Sequence, residues 1–168
     1  MIKIPEELLS KILKKALSKG GDYADIYIAH DRPLSIQLED DKIEKIVSGI
    51  DSGIGVRVVF GGKSAYAYSN DFSEASLFNI ADAVSSAVRE NRGGKTVFDL
   101  RVVRPSVDFK IKHYPHDVAI EKKIFLVENA NKAAKGISPK IRQVSVIYRD
   151  SVQNICIASV PSGRGVVK

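Results

Sequence analysis

Residues 52–74 read SGIGVRVVFGGKSAYAYSNDFSE, four glycines set among valines, alanines and tyrosines. The stretch is either a glycine loop that cradles phosphate or a pair of strands. A dinucleotide loop needs G-x-G-x-x-G between a strand and a helix. Gly53 and Gly55 fit that spacing, but the third position is Val58 and a second strand pattern follows. A P-loop needs Lys-Ser/Thr opening a helix; Lys63-Ser64 instead opens a Tyr/Ala alternation. A hairpin accounts for the residues better. Gly61-Gly62 makes a two-residue turn in which both positions tolerate positive φ. Pairing outward sets Phe60 opposite Lys63, Val58 opposite Ala65 and Val56 opposite Ala67 on one apolar face. Arg57 falls opposite Tyr66, and Gly55 opposite Tyr68, on the other. Arg57, Tyr66 and Tyr68 then form either a cross-strand aromatic and cation–π patch of structural value or a surface that grips a ligand.

Upstream, Pro5 to Lys19 has helical spacing, with Leu9, Ile12, Leu13 and Ala16 on one stripe and Gly20-Gly21 as the stop. Ala24, Ile26 and Ile28 alternate as a strand, Arg32-Pro33 breaks it, and Leu34, Ile36 and Leu38 alternate as the next. Asp40-Asp41 turns the chain into a strand from Lys42 to Ser48. Downstream, Asp71 and Glu74 have capping-box spacing for a helix running to about Asn91, closed by Gly93-Gly94. Residues 93–116 read as a connector. Asp117 is the expected N-cap of a helix over 118–135, lined by Ile120, Ile124, Val127 and Ala134 with Phe125 and Leu126 beside them. A strand from Val144, a turn at Arg149-Asp150-Ser151 and a return over 152–159 would complete a second hairpin. The echo of HDRPLSIQL (30–38) in YRDSVQNIC (148–156) hints at two related α-β-β units. The expected class is α+β, an antiparallel sheet with helices packed on one face.

The 168 residues suffice for one ordinary domain or two small units, and 44% apolar with 27% charged is an ordinary globular composition. No apolar run approaches the roughly 20 residues that span a bilayer, and charges interrupt the N-terminal apolar positions, unlike a secretory signal. The single cysteine, Cys156, rules out an internal disulfide and fits a reducing compartment, so a cytoplasmic location is expected. Residues 1–92 carry 12 Lys/Arg and 14 Asp/Glu, whereas 93–168 carry 14 and 6. The basic half is either a solvated face or one that meets something acidic, such as nucleic acid or a protein partner.

Catalytic signatures are lacking. There is no H-E-x-x-H pair and no G-x-S-x-G elbow. His113 and His116 flank Tyr-Pro without a third and fourth ligand nearby. Cys156 sits in an apolar strand as a small hydrophobe.

The runs ADIYIAH (24–30), IQLEDDKIEKIVSGIDSGIGVRVV (36–59) and AYAYSNDFSEASL (65–77) resemble the N-terminal domain of the TldD/PmbA family, with the SGID and YAYSND wording closer to the TldD branch. The resemblance implies cytoplasmic metallopeptidases, some labelled modulators of DNA gyrase, that bind zinc through an H-E-x-x-x-H helix and a later cysteine. It also implies pairing of TldD-like with TldE-like chains around a chamber for an extended peptide. Neither that helix nor its ligands occur here, and VPSGRGVVK (160–168) departs from the family pattern. None of His30, His113 or His116 inherits a metal role. The chain is therefore expected to be an N-terminal fragment. Residues 1–92 would be the family's first domain, 93–116 a connector and 117–168 a helix plus hairpin opening the next part.

Two functions follow from this. The first is a non-catalytic wall of a TldD-type zinc metallopeptidase, with no catalytic or metal residue of its own and Arg57, Tyr66 and Tyr68 facing peptide. Its partner would be a TldE-like subunit or the missing catalytic domain. The alternative is a stand-alone module that binds nucleic acid or a partner through the basic half; nucleic acid ranks below peptide, because the charges are not interleaved with stacking aromatics. A homodimer is a further expectation, and a membrane is not.

Overall fold

The computed structural model describes residues 3–88, 100–102, 111–160 and 165–167. The elements are α1 (Glu6–Ala16), β1 (Tyr23–Glu39), β2 (Lys42–Ser48), β3 (Asp51–Phe60), β4 (Lys63–Ser69), α2 (Glu74–Ser86), β5 (Leu100–Val102), α3 (Ile120–Gly136), β6 (Ser145–Val160) and β7 (Gly165–Val167). The strand order is β4-β3-β1-β6-β7-β5, with β2 paired to β1 off this path. The sheet is antiparallel in its registered pairs except for β5 and β7, which run parallel. The fold class is α+β, as the residue patterns imply. By its internal contacts the chain divides into two compact units, one of Met1–His30, Ser52–Val107 and Asn154–Lys168, the other of Asp31–Asp51 and Asp108–Gln153.

In the first unit, α1 and α2 cover one face of the strands. Leu9, Ile12, Leu13 and Ala16 of α1 and Leu77, Ala81 and Val84 of α2 are buried against Ala24, Ile26, Ile28, Val56 and Val58. Each fully buried aliphatic side chain is worth about 1.5–3 kcal/mol, so this layer dominates the unit's stability. Ala65 and Ala67 of β4 pack against the same core. The helices are tied at their rims by Ser18 Oγ to Ser85 Oγ at 3.0 Å and by the Lys15–Asp82 ion pair at 2.6 Å. The β3–β4 hairpin has the register expected from its turn, including Arg57 opposite Tyr66 and Gly55 opposite Tyr68. Gly61 and Gly62 have φ of 52° and 75°. The Asp22 carboxylate fastens the turn by accepting from Gly61 N at 2.9 Å.

The second unit has a smaller core, Ile36, Leu38 and Val127 flanked by Ile43, Ile124, Val146 and Tyr148. Asp40 and Asp41 make the β1–β2 turn with φ of 47° and 65°. Asp41 also accepts from Asn131 Nδ2 at 2.6 Å and from Lys135, linking the turn to α3.

Five expectations are corrected. Arg32-Pro33 does not break the strand; β1 runs 17 residues through it. An extended strand accommodates proline's φ where no partner needs its N–H, and the Pro33 carbonyl still accepts from Gly49 N at 3.3 Å. Arg149-Asp150-Ser151 is not a turn either, because β6 is continuous. The cap of α2 is Ser73, whose hydroxyl accepts from Ser76 N at 3.3 Å; Asp71 instead accepts from Ser73 N and Ser73 Oγ. That helix ends at Ser86, short of Asn91. Helix α3 starts at Ile120 after Ala119, with Asp117 in a preceding 3-10 turn, and it buries Lys123, Val127 and Asn131 while Phe125 and Leu126 are exposed. Asn91, Gly93-Gly94 and much of the 93–116 connector lie outside the described residues.

Candidate functional site

The face of the first unit opposite α1 and α2 is lined by the outward positions of three neighbouring strands. From β4 come Tyr66 and Tyr68, 62% and 77% exposed. Their rings stack at 6.2 Å between centroids and 23° between planes. From β3 come Gly55 and Arg57. From β1 come Tyr23, Asp25 and Tyr27, alternating with the buried Ala24, Ile26 and Ile28 as strand geometry requires. Tyr27 is also exposed.

Arg57 does not sit on the β4 tyrosines. Its guanidinium takes the Asp25 carboxylate with two nitrogens, Nε to Oδ1 at 3.2 Å and Nη2 to Oδ2, and lies 5.9 Å from the Tyr23 ring centroid. The expected cation–π partner is thus Tyr23 rather than Tyr66. The hydrogen bond that Arg57 donates to Asp25, with the carboxylate's charge second, raises the Arg57 pKa further. Burial, followed by the negative charge of Asp25, pushes the Tyr23 phenol up. Tyr23 and Asp25 were missed as site residues, although the alternation in β1 marks them as outward-facing. The result is a fixed cation, a carboxylate and four tyrosines on one open surface. It can offer stacking and side-chain hydrogen bonds, but holds no nucleophile–base pair.

The histidines are dispersed. His30 Nδ1 bonds Ser52 Oγ at 2.7 Å, and His116 Nε2 lies 3.3 Å from Asp117 while its ring tilts on Tyr114. His113 is exposed. Burial pushes the Cys156 thiol up. Among the described residues no group of three or more His, Cys, Asp or Glu side chains could hold a metal ion, so the residues present do not fit a catalytic zinc. No helix of the described residues is long and apolar enough to cross a membrane.

The second unit carries a buried polar trio. Lys123 Nζ meets Asp150 Oδ2 at 2.8 Å with both side chains nearly out of solvent, and Tyr148 donates its hydroxyl to the same oxygen at 2.7 Å. The hydrogen bond to Asp150, with burial second, pushes the Tyr148 phenol up to about 12. Burial works to raise Asp150, but the hydrogen bonds from Lys123 and Tyr148 outweigh it and hold the carboxyl low. A turn signature hid this trio in the sequence.

Known proteins resemble this chain in sequence and in fold. Residues 24–90 match the PmbA/TldA metallopeptidase domain 1. The chain is 29% identical to the Metalloprotease TldD homolog of Haemophilus influenzae over 137 residues and 34% identical to a metalloprotease of Methanocaldococcus jannaschii over 146 residues. These alignments cover 81% and 84% of this chain but only 28% and 32% of the relatives' length. In structure it resembles a Thermotoga maritima protein described as a candidate modulator of a DNA gyrase, with a TM-score of 0.68 at 16% identity over 97% of this chain and 36% of that one. A Bacteroides thetaiotaomicron protein of the same description matches with a TM-score of 0.63 at 15% identity over 92% and 36%. At such identities the structural likeness speaks to the fold alone. Residues 24–90 thus carry the first domain of the TldD/PmbA metallopeptidase family, with TldD homologues among the relatives.

Proposed function

We propose that this chain is a non-catalytic, substrate-facing wall of a TldD-type zinc metallopeptidase acting on extended peptides in the cytoplasm. Residues 1–92 would be its first domain, 93–116 a connector and 117–168 the opening of the next part. The metal and its ligands would come from a longer TldD-like catalytic region or from a partner subunit of the TldD/TldE kind.

One observation carries the peptide reading. Strand β4 ends the strand order among the described residues, so one of its edges carries backbone N–H and C=O groups with no strand beside them. The same strand presents Tyr66 and Tyr68 to solvent. An extended peptide can add to such an edge through main-chain bonds, with aromatic rings holding alternate side chains loosely. That mode tolerates varied sequences, as a processing enzyme requires.

The test is fluorescence anisotropy of a labelled unstructured peptide titrated with the full chain, alone and with added zinc. The expected result is saturable binding without cleavage, weakened in the Tyr66→Ala/Tyr68→Ala double variant while thermal unfolding is unchanged. Cleavage that survives substitution of His30, His113 and His116 would overturn the non-catalytic reading. Tight, strongly salt-dependent DNA or RNA binding with no peptide binding would favour the nucleic-acid alternative.

A further inference from the structure

The second unit contains a cavity of about 480 Å³, lined in part by Arg32, Leu34, Ile50, His116, Lys123 and Asp150. That size suits a small ligand. Two features make it more than a surface dent. Its wall includes Lys123, whose side chain is only 5% exposed and whose ammonium has three donors, one directed at Asp150. It also includes Arg32, an exposed guanidinium that forms no ion pair with a described residue. Lys123 and Asp150 offset each other, which leaves Arg32 as the uncompensated charge. His116 is partly engaged by Asp117.

One surplus positive charge matches a monoanion. A phosphate dianion entering the same space would meet the Asp150 carboxylate at close range. The planar fork of an arginine fits a carboxylate well. Beside these charges stands apolar surface: Leu34 is half-buried and Ile50 is 68% exposed. We propose that this cavity binds a carboxylate with an apolar substituent, Arg32 and Lys123 meeting the anion and Leu34 and Ile50 meeting the apolar group. The carboxylate could belong to a free acid or to a peptide C-terminus. The proposal stands independently of the peptide-wall reading, since none of these residues lies on the tyrosine face.

The experiment is a titration of the isotopically labelled full chain, read by amide shifts of Arg32 and residues 48–50. The probes are N-acetyl-leucine, the tripeptide Ala-Ala-Leu, the C-terminal amides of both, and inorganic phosphate. Saturable shifts with either acid and not with its amide support the proposal, and the tighter acid names the source. Arg32→Gln should weaken that binding roughly fivefold or more with an unchanged melting temperature, because the side chain is exposed. Ile50→Ser, also exposed, should weaken it independently. Amides that bind as well as acids, phosphate that binds more tightly than either acid, no saturable shift, or unchanged affinity in Arg32→Gln would each overturn it.

Discussion

The Tyr66 ring lies across Gly55: a Cβ built on Gly55 would fall 2.3 Å from the Tyr66 hydroxyl and 2.6 Å from its Cε2. Glycine at this cross-strand site gives the tyrosine a place to lie, and Tyr68 stacks beside it. The obstacle to a methyl group is the far end of an exposed side chain, which can swing away. Gly55→Ala should therefore fold with stability within about 1 kcal/mol of the parent. It should nonetheless lower peptide affinity by displacing Tyr66. Thermal unfolding together with anisotropy separates the two effects.

Arg57 and Asp25 form a two-nitrogen pair in which the arginine is 48% exposed and the aspartate 14%. Solvent screening limits what such a pair contributes, so Arg57→Lys should cost less than about 1 kcal/mol. A double-mutant cycle with Asp25→Asn should give a coupling of the same small size. A coupling of several kcal/mol would mean that the pair is far more desolvated than its exposure indicates.

Asp150 is the acid-sensitive point of the second unit. Its folded pKa is lowered, so its stabilising contribution is present above the ordinary carboxylate pKa of about 4 and is lost as pH falls through the folded value. At neutral pH, Asp150→Asn leaves Lys123 buried without its counter-charge and should destabilise by about 3 kcal/mol or more. Denaturant unfolding at neutral pH and again below about pH 3 should show that gap narrowing in acid. A gap that stays constant would show that the carboxylate's charge is not its source.

The phase of α3 is testable by substitution. Val127 is 2% exposed, whereas Phe125 and Leu126 are 61% and 57% exposed. Val127→Ala should cost about 2 kcal/mol, while Phe125→Ser and Leu126→Ser should stay within about 0.5 kcal/mol. Chemical denaturation of the three variants reads this directly.

The β3–β4 hairpin was legible because its turn chemistry and its alternation agree residue by residue. Helix α1 was legible because its apolar stripe is uninterrupted. Two long strands were misread at the same kind of place. Arg32-Pro33 and Arg149-Asp150-Ser151 have turn composition, yet both lie within strands, the first in β1 and the second in β6. Composition cannot show that Asp150 is held in a strand by Lys123, because that partner is 27 residues away in the chain. In α3 the stripe of Ile124, Val127 and Ala134 was placed on the right face, but the same face also buries Lys123 and Asn131, which no apolar pattern marks, while Phe125 and Leu126 beside it are exposed. Within the candidate site, Arg57, Tyr66 and Tyr68 were visible from hairpin pairing. Tyr23 and Asp25 needed the order of strands, since β1 is the neighbour of β3.

The most direct measurement is photo-cross-linking of the full chain with an unstructured peptide bearing benzophenone, mapped by mass spectrometry. The account predicts an intact peptide attached within residues 63–69 or at Tyr27, with yield reduced in Tyr66→Ala/Tyr68→Ala. Attachment confined to other surfaces, or yield unaffected by loss of both tyrosines, would contradict it.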